Sequence, residues 1–269
     1  GPSRLRPRPY RGTLPPGARP GGASPDREPF VDVSQDFAQI FERIYVVNLD
    51  SRPDRLRGVA AQLARAGLRI DGGLVRRFPA VRPQEQGDWP SLGALGCYMS
   101  QLTVLREARD DGLGCVAILE DDFDFSRAFL ATPKPYVEAL KRDDWKMFHC
   151  GLPGAGGADG EVRARMAAPG EALLCAHFVA FRAPGIGALG DQLELFATRP
   201  RGHPEGGPMH VDGAYQTYRT RHPETPLLTF DPPMGVQRSS ASDITPAWRD
   251  RLPILRHGLA VARRLRQGL

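Results

Sequence analysis

The chain has 269 residues, 41% of them hydrophobic and 25% charged, with a formal net charge of +5. That length can bury a sizeable core and implies one domain of about 200 residues with tails. No apolar run reaches the roughly 18 residues of a membrane span, no signal-peptide core is present, and the four cysteines form no CxxC pair.

Cys115 and Cys175 lie in apolar runs, which implies buried free thiols in a reducing, cytoplasmic setting. A mildly basic chain suits anionic partners. Its basic residues do not cluster with aromatics on one element, so nucleic acid is not expected.

Residues 1 to about 28 are rich in Pro, Arg and Gly and cannot bury enough surface to offset ordering. Residues 1–40 are therefore read as a disordered leader or linker, with a short helical pattern from Asp36 to Arg43. Ile44 to Leu49 predicts a strand. Asp50 or Ser51 can cap a following helix, and Pro53 fits its first turn. Leu56, Val59, Ala60 and Leu63 give that helix one apolar face, and Gly67 stops it.

Arg77 to Val81 predicts a second strand, and Leu95 to Arg109 a helix stopped by Asp111-Gly112. Val116 to Leu119 predicts the third strand. This β-α-β-α-β order implies a mostly parallel sheet flanked by helices. Further strands are predicted at Lys146 to Cys150, Leu173 to Phe181 and Leu227 to Phe230, with a flexible Gly151 to Gly160 loop as a candidate lid.

Residues 246–269 form a separate C-terminal segment. Within it, Leu255, Leu259, Ala262 and Leu269 fall on one stripe among Arg256, Arg263, Arg264 and Arg266. Such a basic amphipathic helix either lies on an anionic membrane or packs its stripe on the domain.

The third strand runs directly into Glu120-Asp121-Asp122. Carboxylates at the end of a buried strand sit at the edge where open α/β sheets bind ligands. Close like charges call for a cation, and a hard divalent metal takes oxygen ligands. Two readings are open at this point: a metal site for a phosphorylated substrate, and a solvated acidic turn.

Several segments form an ordered series. It begins with Ile44-Tyr45-Val46-Val47-Asn48-Leu49-Asp50-Ser51-Arg52-Pro53-Asp54-Arg55, Arg77-Phe78-Pro79-Ala80-Val81 and Gly93 to Ser100. It continues through Ile118 to Asp122, Phe148 to Gly151, Ala176-His177, Val211-Asp212 and Gln237-Arg238-Ser239 leading to Ser242-Asp243-Ile244. Across residues 43 to 245 this series resembles glycosyltransferase family 25, which includes lipooligosaccharide and collagen galactosyltransferases. The resemblance implies a GT-A-type glycosyltransferase fold over residues 41–245. It also implies a UDP-sugar donor, most often UDP-galactose, a Mn²⁺ (or Mg²⁺) cofactor and inversion at the anomeric carbon. The acceptor would be a glycan, a lipid-linked glycan or a peptide hydroxyl.

On that resemblance Asp122 is the principal metal ligand. Glu120 reaches the metal, a metal-bound water or the ribose, and Asp121 is the third acid beside the donor. Asn48, Leu49 and Asp50 would flank the nucleoside. Arg52 and Arg55 would meet the diphosphate, or else serve as solvated helix charges. Pro79, Ala80, Val81 and Ser100 would wall the donor pocket, a structural bend being the other use of the first three.

Asp212 matches an acidic position suited to the base that single displacement needs; its other use is an N-cap for Ala214 to Arg219. His177 matches a position near the sugar, or is a hydrogen-bonded core residue. A third metal ligand is sought among Gln237, Asp243 and His210. The chain departs from the family at Gln101, where many members carry His; an amide cannot take a proton near neutral pH.

Two other functions compete. Asp122-Phe123-Asp124-Phe125-Ser126 fits the DxDxS signature of haloacid-dehalogenase-like phosphatases, with Asp122 as nucleophile and Asp124 as general acid. A catalytically silent GT-A domain that only binds a nucleotide sugar is the non-enzyme alternative.

Overall fold

The computed structural model describes residues 30–152 and 161–238. The leader before residue 30, most of the candidate lid, Asp243 and the C-terminal basic helix lie outside the described residues. In chain order the elements begin with α1 (Ser34–Ile40), β1 (Arg43–Asn48), α2 (Pro53–Arg65), β2 (Val75–Pro79), α3 (Leu92–Asp110) and β3 (Cys115–Glu120). Next come β4 (Phe123–Phe125), α4 (Arg127–Ala131), α5 (Lys134–Lys141) and β5 (Met147–His149). The chain then forms β6 (Arg163–Ala167), β7 (Phe178–Arg182), α6 (Gly185–Thr198), α7 (Val211–Arg221), β8 (Leu227–Asp231) and β9 (Gly235–Gln237).

The architecture is mixed α/β. A seven-stranded sheet has the order β2-β1-β3-β7-β5-β8-β6, and β4 pairs with β9 in a separate two-stranded sheet. β1 runs parallel to β2 and β3, and β5 parallel to β8, while β7 and β6 run against their neighbours. The sheet is thus mostly parallel in strand direction. Helices cover both faces, which is why β1 and β3 read as almost continuous apolar runs.

The first half of the fold follows from local signals. α2 begins with Pro53 in its first turn. It ends in a Schellman motif, with Gly67 N–H donating to Ala64 O at 3.2 Å and Leu68 N–H to Leu63 O at 3.0 Å. Gly67 has φ +74, a conformation that glycine adopts at no steric cost. α3 closes in the same way at Gly112, φ +66, with Leu113 N–H on Ala108 O at 2.9 Å. Its N-cap is Ser91, whose Oγ accepts from Ala94 N–H at 3.0 Å, so the helix starts earlier than Leu95.

Several expectations are corrected. Neither Asp50 nor Ser51 caps α2; the capping position is Arg52, without a side-chain cap bond. The folded body begins ahead of residue 41. Val31 N–H bonds Arg65 O at 2.8 Å, and α1 buries Phe37 against Phe41 with ring centroids 5.4 Å apart. Val33 and Ile40 join these two rings in the core and dock the short helix. The strand predicted from Leu173 begins only at Phe178. Among the described residues no helix is long and apolar enough to cross a membrane.

The register aligns the strand ends. Asn48 pairs with Pro79, and Val47 with Glu120, so β1, β2 and β3 finish at one edge of the sheet. The functional side chains collect at that edge.

Candidate functional site

A cavity of about 690 Å³ opens where β1, β2 and β3 end. Val47 and Leu49 line it from the first strand, Ser51, Arg52 and Arg55 from the start of α2, and Ala80 to Gln84 from the segment after β2. Leu92, Gly93, Gly96, Cys97 and Ser100 line it from α3, and Glu120, Asp121, Asp122 and Gln237 complete it. Leu49, Arg52, Arg55, Ala80, Val81, Ser100 and all three acids of the sequence-predicted site therefore meet in one place.

The three acids have different surroundings. Asp121 is locked on both oxygens: Asn48 Nδ2 donates to Oδ2 at 2.7 Å, and Arg55 Nη1 to Oδ1 at 3.2 Å. Asn48 is held in turn by Arg77 Nε at 3.1 Å. Asn48 and Asp121 thus brace the tip instead of facing the cavity with open lone pairs. Asp122 accepts from Gln237 Nε2 at 3.1 Å through Oδ2. Its Oδ1 is buried with no hydrogen-bond partner among the described residues. Glu120 Oε1 accepts from Cys97 Sγ at 3.2 Å and from Gln101 Nε2 at 3.2 Å.

Burial sets the charge state. Desolvation first, then the neighbouring Asp122 charge, pushes the Glu120 carboxyl up to about 8. Desolvation raises Asp122 as well, against the lowering effect of Gln237. Two acids forced toward their neutral forms, one with an orphaned oxygen, fit a cation that the protein itself does not supply. Among the described residues no three His, Cys, Asp or Glu side chains gather to hold a metal alone. The donor set therefore fits an ion of the magnesium kind, which takes one or two carboxylates and leaves its other positions to water and substrate phosphate.

Positive charge faces these acids. Arg52 at the N-cap and Arg55 in the first turn of α2 both line the cavity, Arg52 paired with Asp54 and Arg55 with Asp121. Arg82 is exposed on the opposite wall. Arg238 N–H donates to Asp122 O at 2.6 Å and its guanidinium pairs with Asp124, so the β4–β9 pair buttresses the acidic tip. Ser100 Oγ accepts from Val81 N–H at 2.8 Å and donates to Gly96 O at 2.6 Å, which fixes the wall after β2. A methyl group on Gly96 would lie 2.8 Å from Val81 O, so that close approach requires glycine.

Other predicted residues lie off the cavity. Asp50 is exposed and pairs with Arg77, and Pro79 ends β2 behind the lining. His177 is buried beneath the tip, its Nε2 3.0 Å from Cys150 Sγ and its ring stacked on Phe123. Burial lowers it to about 4. Asp212 sits in the first turn of α7, which is capped by His210, so Asp212 is not the N-cap. Its Oδ2 accepts from Cys175 N–H at 3.0 Å and its Oδ1 from Gly213 N–H at 2.8 Å. It does not line the cavity, though its charge adds to the upward push on Glu120 and Cys97.

Of the third-ligand candidates, Gln237 reaches Asp122, whereas His210 is exposed and does not line the cavity. The phosphatase reading loses its acid: Asp124 is held by Arg238, Ser126 caps α4 with Oγ 3.1 Å from Phe129 N, and neither lines the cavity. Sequence reasoning missed Arg82, Pro83, Gln84 and Leu92. The small residues Gly93 and Gly96, one turn apart at a helix start, were the available sign of a close wall there.

No family model matches the chain. Among solved structures it is similar to a glycosyltransferase involved in glycosylation of the major capsid of PBCV-1. That match has a TM-score of 0.44 and 11% identity, over 71% of this chain and 81% of the other. It is also similar to A197 from STIV, with a TM-score of 0.34 and 10% identity over 75% of this chain and 96% of that one.

Proposed function

We propose that the protein is a metal-dependent, inverting glycosyltransferase that moves a hexose from a UDP-sugar to an acceptor hydroxyl. The observation that carries this reading is the buried, unpartnered Asp122 Oδ1 in a cavity whose other walls bear Arg52, Arg55 and Arg82. One ligand answers both features, a diphosphate with its divalent cation. The order of motifs that resembles family 25 supports UDP-galactose as donor, and a glycan, lipooligosaccharide or peptide as acceptor.

Asp122 and Glu120 would hold a Mn²⁺ or Mg²⁺ ion, which supplies Lewis-acid stabilisation of charge on the departing diphosphate. The arginines share that charge as hydrogen-bond donors, two of them from a helix start. Leu49, Val47, Ala80 and Val81 offer an apolar wall for the base. In transfer, the acceptor oxygen bonds to the anomeric carbon from the face opposite the leaving group. The bond to the diphosphate oxygen breaks, UDP departs, and the hydroxyl proton goes to Asp212. The arginines of residues 249–269 would bring this chemistry to an anionic cytoplasmic membrane surface.

The test is a thermal-shift panel of UDP-, GDP- and CDP-sugars with and without Mn²⁺, followed by a transfer assay with the donor that binds. A rise confined to a UDP-sugar with Mn²⁺ is expected, because a ligand that binds the folded state alone raises its stability. A flat panel would overturn the reading.

A further inference from the structure

A buried line of hydrogen bonds runs from α7 through α3 to the acidic tip. Gln101 on α3 and Tyr215 on α7 are at most 1% exposed. The Tyr215 hydroxyl donates to Gln101 Oε1 at 2.6 Å, and Gln101 Nε2 donates to Glu120 Oε1 at 3.2 Å. The polarity of this line follows from its members. An ionised carboxylate, the form that would meet a cation, only accepts, so the amide turns its NH₂ to Glu120 and its carbonyl to the phenol. Cys97 Sγ brings a second donor to the same Glu120 oxygen at 3.2 Å. Two donors on Oε1 leave Oε2 to the cavity that Glu120 lines.

We infer that Gln101 and Tyr215 are positioning residues that set the Glu120 carboxylate toward the ligand and tie that setting to the helix carrying Asp212. Asp212 and Tyr215 are three residues apart in α7 and share one side of it. A shift of α7 therefore moves Asp212 and the strut on Glu120 together. The amide suits this place because it is neutral and bifunctional: it orients the carboxylate without adding charge to a site that already carries an excess. An apolar side chain at 101 would strip the Tyr215 hydroxyl and Glu120 of a partner at once. The inference rests on the proposed function for what Glu120 meets in the cavity.

The test is a double-mutant cycle on Gln101→Leu and Glu120→Ala, read as calorimetric affinity for UDP in the presence of Mn²⁺. Each single variant is expected to lose about tenfold or more, as residues that orient a metal ligand do. The double variant should bind no worse than Glu120→Ala alone, since Gln101 acts through Glu120. Losses that multiply would overturn the inference.

Gln101→His should restore most of the affinity, because a neutral imidazole also accepts at one nitrogen and donates at the other. Tyr215→Phe, which keeps the packing, should show a smaller loss that vanishes in the Glu120→Ala background. If the unsubstituted protein binds no UDP, the same cycle is read as thermal midpoints without ligand. Midpoint shifts that fail to add then uphold the strut and assign the failure to the nucleotide reading, and additive shifts overturn the strut.

Discussion

The Asn48 side-chain amide donates to Asp121 Oδ2 at 2.7 Å, and this bond joins the end of β1 to the end of β3. Arg55 fills the other oxygen from α2, so Asp121 works as a bracket among three elements. Its neighbour Asp122 has an oxygen with no partner among the described residues. Adjacent acids in one run thus have opposite surroundings, one bonded on both oxygens and one with an oxygen left open.

Removing the bracket should therefore cost stability. Asp121→Ala removes the acceptor that a largely buried guanidinium and the Asn48 amide share, and is expected to lower unfolding free energy by about 2 kcal/mol. Asp122→Ala removes a buried carboxylate whose Oδ1 has no partner among the described residues, at the loss of one bond from Gln237, and should leave unliganded stability unchanged or raise it. Denaturant unfolding of both variants checks the contrast. Equal losses would show that the two acids do the same work.

The Glu120 carboxyl gives the protein a pH signature. Its folded value is about 8 against an ordinary 4.5, so the folded state binds the extra proton between those limits. Its contribution to unliganded stability is complete below 4.5 and is lost as pH rises through about 8. A divalent cation competes with that proton, so the Mn²⁺-induced thermal shift should grow across the same window. Glu120→Gln should flatten both trends. A Mn²⁺ shift independent of pH in the parent protein would contradict this account of the tip.

Asp212 is held by the Cys175 and Gly213 amides in a fixed orientation. Asp212→Asn keeps acceptor oxygen for one of these bonds but cannot take a proton. It should bind UDP with unchanged affinity and lose about 10²- to 10⁴-fold in kcat. An unaltered kcat would remove Asp212 as the base.

Much of the first half was legible in the sequence because its signals are local. Apolar runs gave β1 and β3, and Gly67 and Gly112 ended their helices in the left-handed turns that glycine favours. The second half was not. β7 enters antiparallel between β3 and β5, a pairing set by contacts distant in sequence that no local pattern reports. β4 and β6 alternate over only three and four residues, too short a run to tell a strand from a loop.

The site divides in the same way. Acids at a strand tip and arginines at a helix start are legible because the chain places them at a predicted edge. Arg82 follows β2 in a segment without periodicity, and the Tyr215–Gln101 bond spans 114 residues and exists only because α3 packs on α7.

The central claim is that Asp122 anchors a cation which in turn anchors a nucleotide diphosphate. Calorimetric titration of UDP into the protein and into Asp122→Ala, each with Mn²⁺ and with chelator, tests it most directly. Binding that requires both Mn²⁺ and Asp122 is the predicted result. An Asp122→Ala variant that binds UDP as tightly as the parent, or a parent that binds it equally well in chelator, would contradict the claim.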